Sequence, residues 1–158
     1  MAQTQKAVSF KATGIMIGAT GTTYADNDAI GTITLIPNVC GAVTGFFGLQ
    51  SVVVQDLSNQ KSKLELIFFD SAPTSTFTDD GAFTLTDADI KAIVGTVIIN
   101  AGDYQSYAAN AVATVGNLGL EMQSTSGADL WMAVISRGTP TYVANELSFT
   151  IAGFKDEA

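Results

Sequence analysis

Apolar residues alternate with polar ones at a period of two along nearly the whole of this chain, and few patterns restrict a fold so tightly. Val8, Phe10 and Ala12 alternate with Ser9 and Lys11; Leu64, Leu66 and Phe68 with Glu65 and Ile67; Leu118, Leu120 and Met122 with Asn117, Gly119 and Glu121; Leu147, Phe149 and Ile151 with Ser148 and Thr150. Successive side chains of an extended backbone point to opposite faces, so each run reads as a strand with one side in a core. Further strands are expected at 32–36, 46–54, 82–85, 96–99, 104–107, 111–115 and 130–136. The last, Leu-Trp-Met-Ala-Val-Ile-Ser, is apolar enough to be central. Turn-forming clusters such as Asp26-Asn-Asp28, Asp79-Asp-Gly81, Asn100-Ala-Gly-Asp103 and Gly138-Thr-Pro140 separate these runs.

One segment departs from the alternation. Thr86-Asp-Ala-Asp-Ile-Lys-Ala-Ile-Val-Gly95 has a capping Thr or Asp, acidic residues in its first turn, Ile90, Ile93 and Val94 at helical spacing and a glycine to end it, which predicts a short helix near 87–94. The long crossover helices of a parallel sheet are missing. The expected fold is therefore all-β, an antiparallel β-sandwich, jelly-roll-like or Greek-key, with one short helix and a single domain over 1–158. A chain this long buries roughly 68–70% of its unfolded surface and needs neither disulfide nor metal. Phe10, Leu66, Phe68, Leu120, Trp131, Val134 and Phe149 form the expected core.

The chemistry available is narrow. The chain has no histidine and one cysteine, Cys40, which removes Ser-His and Cys-His catalysis and the usual zinc sites. Asp79, Asp80, Asp87 and Asp89 are dense enough to suggest Ca²⁺, but their spacing fits no EF-hand loop, and turn and cap positions account for all four. Asp26 and Asp28 read the same way. A glycosidase pair could be drawn from Glu65, Asp70, Asp103 and Glu121, yet with fifteen acidic residues such pairs are unavoidable. The glycines from Gly14 to Gly21 lack the Gly-Lys-Ser/Thr ending of a phosphate loop and read as strand-end and bulge positions. The expectation is a protein that is not an enzyme, with no catalytic residue, no metal and no cofactor.

Partners follow from charge. A net charge of -8, with seven scattered basic residues, argues against nucleic acid, which requires clustered Lys and Arg. No apolar run approaches the ~18 residues of a membrane span, and the opening Met1-Ala-Gln-Thr-Gln-Lys6 has no signal-peptide core, so no membrane is expected and folding is expected in a cytoplasm. Charged residues are 14% of the chain, against roughly 25% in ordinary soluble domains. Outer faces this poor in charge suit contact with neighbouring subunits, hence a homo-oligomer. Tyr24, Tyr104, Tyr107, Tyr142, Phe46, Phe47 and Phe77 lie nearest to the expected turns or strand ends. Tyr24, Phe77 and Tyr142 are the interface anchors this reading selects.

Four blocks carry a family likeness: Thr23-Tyr-Ala-Asp-Asn-Asp-Ala-Ile-Gly31; Gly48-Leu-Gln-Ser-Val-Val-Val-Gln-Asp56; Leu64-Glu-Leu-Ile-Phe-Phe-Asp70 continuing through Pro73 to Asp80 and Leu85 to Asp89; and Leu130-Trp-Met-Ala-Val-Ile-Ser-Arg-Gly-Thr-Pro-Thr-Tyr142. In order and spacing the chain resembles small bacteriophage virion structural proteins, common in marine phages. The family's first block has Gly-Asp where this chain has Asn27-Asp28, a mild change because Asn also tolerates a left-handed turn. The resemblance implies a virion component assembled in the host cytoplasm, a head decoration protein bound to the major capsid protein, with trimers natural at threefold positions. The rival expectation is a tail or fibre module that binds a receptor or glycan.

Overall fold

The computed structural model describes residues 7–17 and 19–157; Gly18 and the opening Met1–Lys6 lie outside the described residues. The strands are β1 (Ala7–Met16), β2 (Thr22–Thr23), β3 (Thr34–Ile36), β4 (Phe46–Asp56), β5 (Leu64–Phe69), β6 (Ile93–Ile99), β7 (Tyr104–Tyr107), β8 (Asn110–Val115), β9 (Leu120–Gln123), β10 (Leu130–Ser136), β11 (Thr141–Tyr142) and β12 (Leu147–Asp156). A helix α1 (Asp87–Lys91) and a 3-10 turn at Ala101–Asp103 complete the elements.

Two antiparallel sheets stack as a sandwich. The larger runs β1-β12-β4-β8-β7, with β9 pairing β4 beyond β8, and the smaller runs β3-β10-β5-β6. Setting aside the β7–β8 hairpin, the orders 1-12-4-9 and 3-10-5-6 interleave as the two Greek keys of a jelly roll. Phe47, Leu49, Val52 and Val54 of β4 and Phe149 and Ile151 of β12 face Leu64, Leu66, Phe68, Val97, Ile99, Met132 and Val134 across the core. On β12 these inward residues alternate with Ser148, Thr150 and Ala152, which is why that strand is half-buried.

A second apolar cluster lies outside the small sheet. Ile67, Phe69, Ala133 and Ile135 point away from the main core and are covered by Phe77 and Phe83 from the 70–92 segment. Phe77 stacks on Phe83 with centroids 4.9 Å apart. The central strands β5 and β10 are thus buried on both faces, and this explains their near-continuous apolar runs.

Bulges set the shape of the large sheet. The register of β12 on β4 shifts between Ala152 and Gly153, pushing Gln50 out of the ladder. A Cβ on Gly153 would stand 2.1 Å from the Gly48 carbonyl oxygen, so only glycine allows the strands to meet there. The β1 register breaks between Ala12 and Ile15 around Gly14, at φ 64°, as expected for a bulge glycine.

Several expectations need correction. The helix ends at Lys91, and Ile93 and Val94 belong to β6, where Ile93 pairs with Phe69. Pairing with β5 outweighs another helical turn for this β-branched stretch. Gly95 is a strand residue rather than a helix stop: a Cβ there would lie 2.6 Å from Leu120, so its bareness lets β6 approach β9. Residues 82–85 form only an isolated bridge, Asp28 to Ala82, within the cover. Leu66, Phe68, Val134 and Phe149 are buried as expected, while Phe10 and Leu120 pack half-buried at the core margin and Trp131 half-buried on the outer cluster.

Candidate functional site

The three expected anchors are all inside the protein. Tyr24 and Tyr142 are each 0% exposed and Phe77 is 9% exposed, so none can serve as a surface anchor. Their segments fold back over the sandwich, and carboxylates, half-buried Asp79 and buried Asp56, receive the two phenols. The Tyr24 hydroxyl donates to Asp79 Oδ1 at 2.8 Å, and that of Tyr142 reaches Asp56 Oδ2 at 3.4 Å. Burial, followed by the hydrogen bond to Asp79, pushes the Tyr24 phenol well above its ordinary pKa. Burial and the Asp56 charge do the same to Tyr142 and to Tyr104, whose buried hydroxyl has no hydrogen-bond partner among the described residues. Phe77 is spent on the outer cluster.

Two of the aspartates considered as metal ligands, Asp79 and Asp89, are tied up by protein donors. Asp79 accepts from the hydroxyls of Thr20 and Tyr24 and from Gly31 N at 2.6 Å, joining the 70–92 cover to the 20–31 turn. Asp89 accepts from Thr74 N at 2.7 Å, from Ser75 N at 2.9 Å and from the hydroxyls of Thr74, Ser75 and Thr86. The Ser75 hydroxyl and the Thr74 N–H hold its carboxyl well below the usual carboxylate range. Thr86 caps the helix as expected, its hydroxyl accepting from Asp89 N at 3.2 Å. Glu65 is paired to Arg137 at 2.6 Å, and Arg137 also reaches Asn27 Oδ1 at 3.1 Å. Among the described residues no three His, Cys, Asp or Glu side chains are grouped to hold a metal ion. Cys40 is fully buried, and burial pushes its thiol pKa up, which leaves it unreactive.

The accessible surface with binding character is the outer face of the six-stranded sheet. Three shallow depressions there run together, sharing Lys11, Gln50, Ala152 and Phe154. One, of about 500 Å³, has a floor of Ala152 and Gly153 beside the Phe154 ring. Phe154 is 54% and Phe46 46% exposed, and both border the neighbouring depression together with Glu121. The charged residues lining this trough are Lys11, Lys155, Glu121 and Asp156, two of each sign on a chain of net charge -8. Serine, threonine and glutamine side chains, among them Ser9, Ser51, Thr150 and Gln55, fill the rest. Such a surface offers apolar contact and hydrogen bonding.

Phe46 stood among the turn-proximal aromatics of the sequence; Phe154 did not. Its signal was in the alternation, since Leu147, Phe149 and Ile151 face inward and Phe154 falls on the opposite phase. Compared with known proteins, the chain matches no family model and no curated protein.

Proposed function

We propose that this chain is a non-enzymatic structural protein of a bacteriophage particle, a head decoration protein that associates with its own copies and binds the major capsid protein shell. The open, charge-balanced outer face of the six-stranded sheet is the observation that carries this reading. Copies joined to one another through a broad, shallow surface act together on a repetitive shell and so multiply a modest affinity per copy. A small substrate is usually held in a deeper, more enclosed pocket.

Two further observations support it. The four blocks resembling phage virion proteins lie mainly on β4, β5, β10 and the 70–92 cover, which build the scaffold, so the likeness concerns architecture and no reactive group is expected from it. Jelly rolls are also a common build of viral capsid and lectin domains, an analogy of fold that leaves the role to the surface. A decoration protein that self-associates needs two surfaces that can be occupied together. On the far side of the sandwich Leu35 on β3, Ile98 on β6 and Ile90 on the cover helix are exposed outside the sealed β5–β10 strip, and that side is where the second would lie.

The test is to add the purified chain to particles or to shells of major capsid protein and measure bound copies as salt rises. Apolar docking is expected to persist, whereas an acidic chain held by charge on a basic shell would be shed at high salt and contradict it. A copy number matched to the tail rather than the shell would contradict the head position. The second reading, a tail or fibre glycan-binding module, is favoured by one observation, the exposed Phe46 and Phe154 beside Gln50 and Glu121. Glycan binding that is lost in Phe154→Ala, with no binding to shells, would establish it instead.

A further inference from the structure

The open face is, we infer, a twofold self-interface: two copies of this chain pack outer face to outer face, Phe154 of each entering the depression of the other and Lys11 of each meeting Glu121 of the other. The inference rests on the reading of the chain as a self-associating particle protein, and it names the face and its partner.

An interface built on a twofold axis must hold both halves of every contact on one patch, because residue i meets residue j while j meets i. This patch does. The exposed Phe154 ring is a knob, and the depression floored by Ala152 and Gly153 beside it is a hole. Lys11 on β1 and Glu121 on β9 supply one charge of each sign, separated by β12 and β4. Three strand spacings put them about 14 Å apart across the sheet, which suits reciprocal pairing when one face is turned over onto another.

Charge argues for the same occupant. A chain of net charge -8 repels its own copy over most of its surface. Within the trough, that repulsion is relieved by one outward charge of each sign, Lys11 and Glu121, while Lys155 is turned to the Asn38 carbonyl and the Phe10 ring and Asp156 accepts from Phe46 N. A neutral glycan takes hydrogen bonds from such groups but no Coulomb attraction from their opposite signs, whereas a second copy turned over onto the face pairs both charges reciprocally.

The experiment is sedimentation equilibrium of the full chain at moderate ionic strength. The wild type is expected to dimerise. Lys11→Glu and Glu121→Lys should each raise the dissociation constant at least about tenfold through like-charge contact. The double variant carrying both exchanges should return to within about twofold of the wild type, a recovery that a merely sticky or misfolded surface cannot produce. Phe154→Ser should weaken the dimer about 30-fold, with circular dichroism unchanged in every variant. A wild type that stays monomeric at its highest soluble concentration overturns the inference, and so does a dimer indifferent to the exchanges. A monomeric chain that still coats shells sinks the self-interface and leaves the particle reading standing; a charge-dependent dimer that ignores shells supports the interface and contradicts the particle reading.

Discussion

On the outer face of the four-stranded sheet, Ile67, Phe69, Ala133 and Ile135 lie under the chain's own 70–92 segment, whereas the outer face of the six-stranded sheet has no such cover among the described residues and presents Phe46 and Phe154. Both faces belong to antiparallel sheets of one sandwich. They differ in what alternates with the core. β5 and β10 are apolar at successive positions and had to be buried twice, which requires a cover held shut by Asp79 and Asp89. β1, β4 and β12 place Ser, Thr, Gln and Ala on the outer phase, which water tolerates. An aromatic ring on the first face therefore stabilises the fold, and on the second it remains available for contact.

The largest effect expected from that contrast compares two phenylalanine truncations. Phe69→Ala should cost about 3–5 kcal/mol, because it removes a fully buried ring from the covered face. Phe154→Ala, an equal deletion from the open face, should change stability by no more than about 0.5 kcal/mol. Urea denaturation of both variants breaks the comparison if the two losses are similar.

Asp89→Asn sharpens it further. Hydrogen exchange of amides in 70–92 should accelerate while those of β4 and β12 keep their rates, since the carboxylate binds the cover and not the large sheet. A carboxyl held below its ordinary pKa contributes stability that is complete above about pH 4 and is lost as pH falls through the lower folded value. The acid limb of the wild-type stability curve should accordingly flatten in the variant. An unchanged limb would remove Asp89 from the account.

At the alkaline end the sign reverses. Tyr24, Tyr104 and Tyr142 have phenols raised above the ordinary value near 10. Their contribution is present below about pH 10 and lost as pH rises through the folded values, so phenolate absorbance from these three should appear together with unfolding. Tyr142→Phe should diminish that step. Phenolate forming in a still-folded chain would mean that these rings are exposed after all.

The alternation in the sequence was enough to reveal the sandwich, because half-burial writes itself at period two, and the strands containing Leu66, Val134 and Phe149 stand where it put them. The anchors were illegible for a related reason. Proximity to a turn says nothing about which way the segment folds: Tyr142 lies on β11, which pairs with β2 just before Tyr24, and both rings fold over the core to reach Asp56 and Asp79. Phe46 and Phe47 were ambiguous because the Gln50 bulge switches the phase of β4: counted back from Val52 and Val54, Phe47 would face outward, whereas it is the buried one. Phe154 lay on an unbroken phase and could have been read from Phe149 and Ile151. The cover showed itself only as apolar runs in β5 and β10, since the contacts closing it join residues far apart in the chain, such as Gly31 and Asp79.

Hydroxyl-radical footprinting, read ring by ring in the dilute chain and in its assembled state, tests most directly the claim that one face is sealed by the chain itself and the other is kept for contact. Phe46 and Phe154 should be labelled in the dilute chain and protected on assembly, with Phe77 and Phe83 protected in both. Labelling of Phe77 and Phe83 in the dilute chain, or equal labelling of Phe46 and Phe154 before and after assembly, would contradict it.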